Sequence, residues 1–487
     1  MELDKDLRSR QEVRELMEQA RRAFLILGAM GQEQLDRIVL AIRDCAMTHA
    51  QELGAMAASE TGFGNPKDKM EKNRFAADRV YNAIKDQKVV GILKEQPGLW
   101  EIGVPVGVIA GIVPSTNPTS TVIYKAMIAL KAGSPIVFSP HPGAVQCTCK
   151  TARLLAEAAE AAGCPKGAIG CISTPTMEAV QELMHHDCTR LILATGGAAM
   201  VKAAYSSGKP AIGVGAGNGP AYIHRSANIP EAVAKIIRSK TFDNGTICAS
   251  EQSVIVEACC EDKVKEEFRK QGAYFLNKEE AGKVASILLR PNGSTNPKIV
   301  GKTACCVAAL AGVSVPESTT VLLAHETEAG PTRPYSREKL CPILALFVER
   351  DEDTILKRAV EVLLGEGAGH TFSIHASDEA VIRRFAKEIP VSRFLVNTPS
   401  SLGGIGATTK LFPALTLGCG AVGGSSSSNN IGPMDLINIR RVAWDEGKEA
   451  YGSFFTAEEK AYESTADPGL IEALTREIMN KLRRYEQ

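Results

Sequence analysis

Val106-Gly107-Val108-Ile109-Ala110-Gly111-Ile112-Val113 is an unbroken apolar run of strand-forming residues. It lacks the alternation of a half-exposed strand, so it is predicted to lie in a parallel sheet covered on both faces. The pattern repeats downstream. Thr119 to Ala132 reads as helix, Pro135-Ile136-Val137-Phe138 as strand, and Thr148 to Ala162 as an Ala- and Leu-rich helix. Ala168-Ile169-Gly170-Cys171-Ile172 is the next strand and Met177 to His185 the next helix. Leu191-Ile192-Leu193-Ala194 then ends in Thr195-Gly196-Gly197 before a helix through Ala204. Strand and helix alternating in this way predict an α/β fold with a doubly wound parallel sheet.

Upstream, residues 9 to 58 carry two helical stripes, Val13, Leu16, Ala20, Phe24 and then Leu35, Ile38, Val39, Ile42, Met47. Thr61 to Pro66 supplies turn residues, and an extended stretch covers about 87 to 105. A second α/β unit follows residue 248, with helices near 262–271, 278–290 and 353–363 and strands near 253–257, 344–348 and 394–397. Gly403 to Gly424 is Gly-rich and runs into the loop Ser425 to Asn430, after which Leu436-Ile437-Asn438-Ile439 resumes as strand. Residues 446 to 469 are charged and loosely patterned. Beyond the Asp467-Pro468-Gly469 break, Leu470, Ile471, Leu474, Ile478 and Leu482 share one face of a short helix.

Lys plus Arg and Asp plus Glu each number 56 in the 487 residues, so no net field favours nucleic acid or an anionic membrane. The 13 cysteines are scattered without a CxxC, which predicts reduced thiols in a cytoplasmic protein. His185-His186 has no partner at metal spacing, so no metal is expected. The charged N-terminus is no signal peptide, and the longest apolar run is too short for a bilayer.

One stretch carries the chemistry: Phe242-Asp243-Asn244-Gly245-Thr246-Ile247-Cys248-Ala249-Ser250-Glu251-Gln252-Ser253. Cys248 sits on a Gly-containing connection between the two halves, where a thiol can project into a cleft as a nucleophile. A buried structural cysteine is the alternative. At a strand end, Thr195-Gly196-Gly197 exposes backbone N–H groups at the positive end of a helix, suited to a phosphate or to a plain loop.

This stretch resembles the active-site segment of CoA-acylating aldehyde dehydrogenases. It is similar to the aldehyde dehydrogenase half of bifunctional alcohol/aldehyde dehydrogenases and to CoA-dependent succinate-semialdehyde dehydrogenases. Val113 to Pro118, Phe138 to Pro142, Gly365 to Thr371 and Leu415 to Gly420 match the same family in the same order. The resemblance implies an aldehyde dehydrogenase-like fold. Residues 1–241 would form a Rossmann-type dinucleotide-binding domain with an oligomerisation hairpin about 87–105. Residues 242–430 would form the catalytic domain, 431–446 an oligomerisation strand, and 447–487 a linker and amphipathic helix.

It also implies roles. Cys248 is the nucleophile. Its backbone N–H is one oxyanion donor, and Ser115-Thr116-Asn117-Pro118 supplies the other: Thr116 is in register with the family's asparagine, whereas Asn117 has the amide one residue late. Pro114, Ser115, Thr195, Gly196, Gly197, Val214, Gly215 and Leu340 belong to the cofactor region, and Glu338 matches the glutamate that binds the nicotinamide ribose. Ser139, Pro140 and His141 occupy the place where hydrolytic relatives hold the adenosine ribose with a lysine and a glutamate. Without that acid, NAD is expected first and NADP is tolerated. Val214 stands where hydrolytic relatives carry the glutamate that activates water, and valine accepts no proton. His370 is the candidate base for the CoA thiol.

The expected reaction is therefore aldehyde plus CoA plus NAD to acyl-CoA plus NADH. Acetaldehyde is the default substrate, with sulfoacetaldehyde and succinate semialdehyde as alternatives. A carboxylate-forming dehydrogenase and a non-catalytic shell-associated protein are the rival readings. A homodimer or dimer of dimers is expected. The C-terminal helix resembles peptides that direct enzymes into bacterial microcompartments, and docking on its own subunit is its other reading.

Overall fold

The computed structural model describes residues 4–446 and 467–483. The chain divides into two compact units, residues 1–91 with 103–438, and residues 92–102 with those beyond 438.

In the larger unit the apolar run becomes the strand Val108–Ile112, buried at every residue. It lies inside a five-stranded parallel sheet. The spatial order is Ile169–Cys171, Ile136–Ser139, Val108–Ile112, Thr189–Thr195, Ala211–Val214. In chain order this is third, second, first, fourth, fifth, so the winding reverses between Val108–Ile112 and Thr189–Thr195. A crevice opens at the carboxyl ends of the strands at such a switch point. Helices Lys5–Leu27 and Met177–His185 cover one face, with Val13, Met17, Ala20 and Leu183 packed against Val108, Ala110 and Ile192. Each of the buried Val, Met, Leu and Ile side chains contributes about 1.5–3 kcal/mol of transfer free energy. Helix Pro118–Lys131, buried along its whole length, starts from the first strand's carboxyl end.

A second parallel sheet has seven strands. The order is Ala273–Phe275, Val321–His325, Ile343–Glu349, Glu251–Glu257, Gly219–Ile223, Gly369–His375, Val391–Val396. The strands Glu251–Glu257, Ile343–Glu349 and Val391–Val396 lie where the sequence predicts them. Gly219–Ile223 and Gly369–His375 were not predicted. The first opens with Gly-Pro, a turn signal, and the second, Gly-His-Thr-Phe-Ser-Ile-His, is half polar yet wholly buried. Gly219–Ile223 belongs to this sheet although it precedes residue 241, so the chain crosses between sheets near Gly215–Asn218.

In the smaller unit, the extended stretch and the strand after Leu436 form a three-stranded sheet of Gly91–Gln96, Leu99–Pro105 and Ile437–Ala443, in that order. Trp100 and Trp444 meet edge to face with centroids 4.8 Å apart. The helix Pro468–Arg483 starts at the predicted break, where Asp467 Oδ1 accepts the Gly469 N–H at 2.9 Å. Leu470, Leu474 and Ile478 on it are exposed. The charged segment 447–466 lies outside the described residues. Among the described residues no helix is long and apolar enough to cross a membrane.

Candidate active site

The switch-point crevice gathers most of the sequence-predicted residues. Pro114, Ser115, Thr116 and Asn117 leave the first strand, Thr195, Gly196 and Gly197 leave the fourth, and Val214 and Gly215 end the fifth. Together with Cys248, Glu338, Leu340 and His141 they line one cavity of about 250 Å³. Ser139, Pro140 and His141 line an adjoining cavity of about 160 Å³, whose opposite wall is Met177, Val180 and Met200. His370 is on neither wall. It is fully buried behind Cys248.

The approach to Cys248 is a left-handed turn. Asp243, Asn244 and Gly245 have φ of 48°, 52° and 76°. Non-glycine residues held there cost of order 1–3 kcal/mol each, a conformation retained only where the surroundings impose it. The turn delivers Cys248, half-buried, ahead of the wholly buried strand Glu251–Glu257. Gly217 permits this approach, because a Cβ there would lie 2.0 Å from the Cys248 carbonyl oxygen.

His370 Nε2 lies 3.2 Å from Cys248 Sγ, and its Nδ1 lies 2.8 Å from Thr371 Oγ1. Arg393, buried, donates from Nε to the same Thr371 oxygen at 3.4 Å. In the tautomer whose Nδ1 donates to that oxygen, the Nε2 lone pair faces the thiol. Burial pushes the thiol up to about 12, reinforced by Glu338 and Cys419 and opposed by Arg393. Burial, with the Arg393 charge, holds His370 well below the usual imidazole range. The resting pair is thus thiol and neutral imidazole, 3.2 Å apart.

The crevice fits a dinucleotide. A Cβ at Gly197 or Gly215 would meet nothing within 4 Å, so both glycines face open space. Gly197 caps helix Ala198–Tyr205, leaving its first N–H groups toward the cavity. Glu338 is buried, and its Oε1 accepts the Gly217 N–H at 2.8 Å. Burial and the neighbouring Glu366 push its carboxyl up to about 8. It is the sole carboxylate among the residues lining this cavity, and at neutral pH it is mostly protonated. His141, its Nδ1 accepting the Gly143 N–H at 3.0 Å, is shifted below the usual imidazole range by burial.

Several residues escaped the sequence reading. Arg393 stood out in Val-Ser-Arg-Phe-Leu-Val as a cation inside an apolar strand, a signal that could have been read. Lys69 and Lys72 are buried, although Lys-Asp-Lys-Met-Glu-Lys looks like a solvated helix face. Ile247, Ile405, Leu415 and Leu417 complete the cavity wall.

Comparison with known proteins agrees with this geometry. The aldehyde dehydrogenase family model matches residues 6–277. The bifunctional aldehyde-alcohol dehydrogenase AdhE of Escherichia coli K12 is 46% identical over 439 residues, which are 89% of this chain and 49% of AdhE. The chain thus spans about half the length of the curated bifunctional relatives it matches. An acetylating aldehyde dehydrogenase from Geobacillus thermoglucosidasius superposes with a TM-score of 0.90 at 53% identity, covering 91% of this chain and 99% of that one. A propionaldehyde dehydrogenase from the fucose utilisation bacterial microcompartment of Clostridium phytofermentans gives 0.81 at 28% identity, over 90% of this chain and 98% of that one. The strand order, the Cys248–His370 pair in its crevice and these matches together establish that the chain belongs to the aldehyde dehydrogenase family.

Proposed function

We propose that this chain is a CoA-acylating aldehyde dehydrogenase that converts a small aldehyde, CoA and NAD into acyl-CoA and NADH. The observation that carries the reading is Val214. It is buried at the crevice wall where hydrolytic relatives place a water-activating glutamate. Without that base, water attacks a Cys248 thioester slowly, a deficit of roughly 10²–10⁴-fold.

The Cys248 thiol gives its proton to His370 Nε2 as sulfur attacks the aldehyde carbon. The Cys248 backbone N–H and the Asn117 amide hold the developing alkoxide. A nicotinamide held by Glu338 and the glycines of the crevice would supply the acceptor for the hydride from that carbon. Collapse leaves an acyl group on Cys248 Sγ. Burial and Arg393 disfavour the imidazolium, so His370 releases that proton to solvent, the H+ formed alongside NADH, and is again a neutral acceptor for the CoA thiol, whose proton it returns to the departing Cys248 sulfur. The thiolate of CoA then displaces Cys248 and leaves as acyl-CoA.

Glycines 196, 197 and 215 support dinucleotide phosphates, and Glu338 the nicotinamide ribose. Ser139, Pro140 and His141 support the adenosine end, with NAD preferred and NADP accepted. The five-stranded sheet would serve as the dinucleotide-binding part and the seven-stranded sheet as the catalytic part. Ile247, Ile405, Leu415 and Leu417 suit a short alkyl aldehyde. No lysine or arginine lines the cavity to neutralise sulfoacetaldehyde or succinate semialdehyde, which favours acetaldehyde. The three-stranded sheet is the proposed contact for a homodimer or dimer of dimers. The exposed face of Pro468–Arg483, with a relative drawn from a microcompartment, supports an encapsulation role in the cytoplasm. A panel of acetaldehyde, propionaldehyde, sulfoacetaldehyde and succinate semialdehyde tests the reading. Acyl-CoA and NADH should form in equal amounts, with turnover beyond the first NADH per active site only when CoA is present, and equal turnover without CoA would refute it.

A further inference from the structure

A cluster of buried charges lies beneath the crevice, outside the chemistry described above. Asp243, on the left-handed turn, is wholly buried, and its Oδ2 pairs with Lys69 Nζ at 3.0 Å and Lys72 Nζ at 2.5 Å. Its Oδ1 accepts the Asn65 N–H at 2.8 Å. Gly64 lets that loop close, since a Cβ there would lie 1.7 Å from Asp243 Oδ1. Lys72 has three hydrogens and three acceptors: Asp243 Oδ2, Thr246 Oγ1 at 2.9 Å and Asn117 Oδ1 at 2.6 Å. Lys69 holds the Thr116 carbonyl at 2.8 Å.

Asn117 is the N-cap residue of helix Pro118–Lys131, a position where asparagine ordinarily bonds its own helix. Here its side chain makes no capping bond. An ammonium only donates, so the atom facing Lys72 must be the amide oxygen. The amide nitrogen is thereby turned to the nucleophile loop, where it donates to the Thr246 carbonyl at 3.2 Å and toward Thr116 Oγ1 at 3.2 Å. Thr116, Asn117 and Thr246 all line the cavity that holds Cys248.

We infer that Lys72 is a positioning residue for the oxyanion site: it locks the Asn117 amide with nitrogen toward the nucleophile loop, where the hydrogen now shared with Thr116 Oγ1 is exchanged for the developing oxyanion, and prevents the flip that would present oxygen. The inference rests on the proposed oxyanion role of Asn117. The buried charge explains itself in these terms. Asp68, whose Oδ2 accepts the Asp243 N–H at 2.7 Å, brings the cluster to two carboxylates and two ammonium groups, so the third hydrogen of Lys72 goes to the Asn117 oxygen rather than to a further anion.

The test is a double-mutant cycle on the full-length enzyme with Lys72→Met, Asn117→Ala and the combined variant. Two rates are read: the NADH burst on mixing with acetaldehyde and NAD, and alkylation of Cys248 by iodoacetamide, which develops no oxyanion. Asn117→Ala should slow the burst by about 10²–10³-fold, the usual loss for one oxyanion donor. Lys72→Met should slow it by about 10–100-fold. The combined variant should be no slower than Asn117→Ala, and alkylation should stay within about twofold of wild type throughout. If Lys72→Met yields no folded protein, Lys72→Ala, which also removes the donor but leaves room for water beside Asp243, replaces it in the cycle. Multiplying losses in the combined variant, or an unslowed burst in the Lys72 variant beside a slowed Asn117→Ala, would overturn the inference alone. An unslowed burst in Asn117→Ala would overturn the oxyanion assignment and the inference with it.

Discussion

Replacing His370 by Gln separates proton transfer from packing. Glutamine fills much of the same space and can hydrogen-bond, but it accepts no proton at any working pH. In the wild type Nε2 waits 3.2 Å from a thiol pushed up to about 12. At pH 7.5 such a thiol without a base is ionised only at about the 10⁻⁵–10⁻⁴ level. A positioned base is worth about 10²–10⁴-fold, or about 2.7–5.4 kcal/mol of barrier. His370→Gln should therefore lower the NADH burst rate by that factor at pH 7.5. The sign of the pH effect follows from the raised thiol: each unit of pH increases its thiolate about tenfold until pH approaches its pKa. The variant should gain close to tenfold per unit between pH 7 and 10, whereas the wild type rises less steeply. Rapid mixing of enzyme and NAD with acetaldehyde across that range gives both numbers. A burst within threefold of wild type at pH 7.5 would refute the assignment of His370 as base. So would a loss of the same size at every pH, which belongs to packing.

Val214→Glu should create CoA-independent acid formation, raised about 10–100-fold over wild type, because it restores a base to the crevice wall; acetate release without CoA measures it. Glu338, with its carboxyl pushed up to about 8, becomes a carboxylate as pH rises through that value. The KM for NAD should accordingly fall from pH 7 to 9 in the wild type, as the carboxylate becomes a stronger acceptor for the ribose hydroxyls, and stay flat in Glu338→Gln. Gly217→Ala should cost about 1–3 kcal/mol of stability by overpacking, since its Cβ would strike the Cys248 carbonyl, and thermal unfolding reads the loss.

How much of this was legible in the sequence depends on what a local pattern can carry. The parallel strands of the first sheet were readable because both faces are covered, so Val108–Ile112 and residues 191–194 had to be apolar. Gly369–His375 was not, because its polar residues are buried by partners distant in sequence, His370 by Cys248 and Thr371 by Arg393. Cys248, Thr195–Gly197 and Glu338 were reached through family motifs, and the structure brings them to one cavity. Asn117 and Thr116 could not be ranked by alignment, and both line that cavity. The Lys69–Lys72–Asp243 cluster had no signal at all. Lysines three apart on a charged helix look solvated until residues more than 170 positions away close over them.

The most direct measurement is intact-protein mass spectrometry of the enzyme after mixing with acetaldehyde and NAD at pH 7, first without CoA and then with it. The account predicts one acetyl group on Cys248 that persists until CoA is added and then disappears as acetyl-CoA forms. Absence of that adduct, with free acetate accumulating as fast as acetyl-CoA does in the complete reaction, would contradict it.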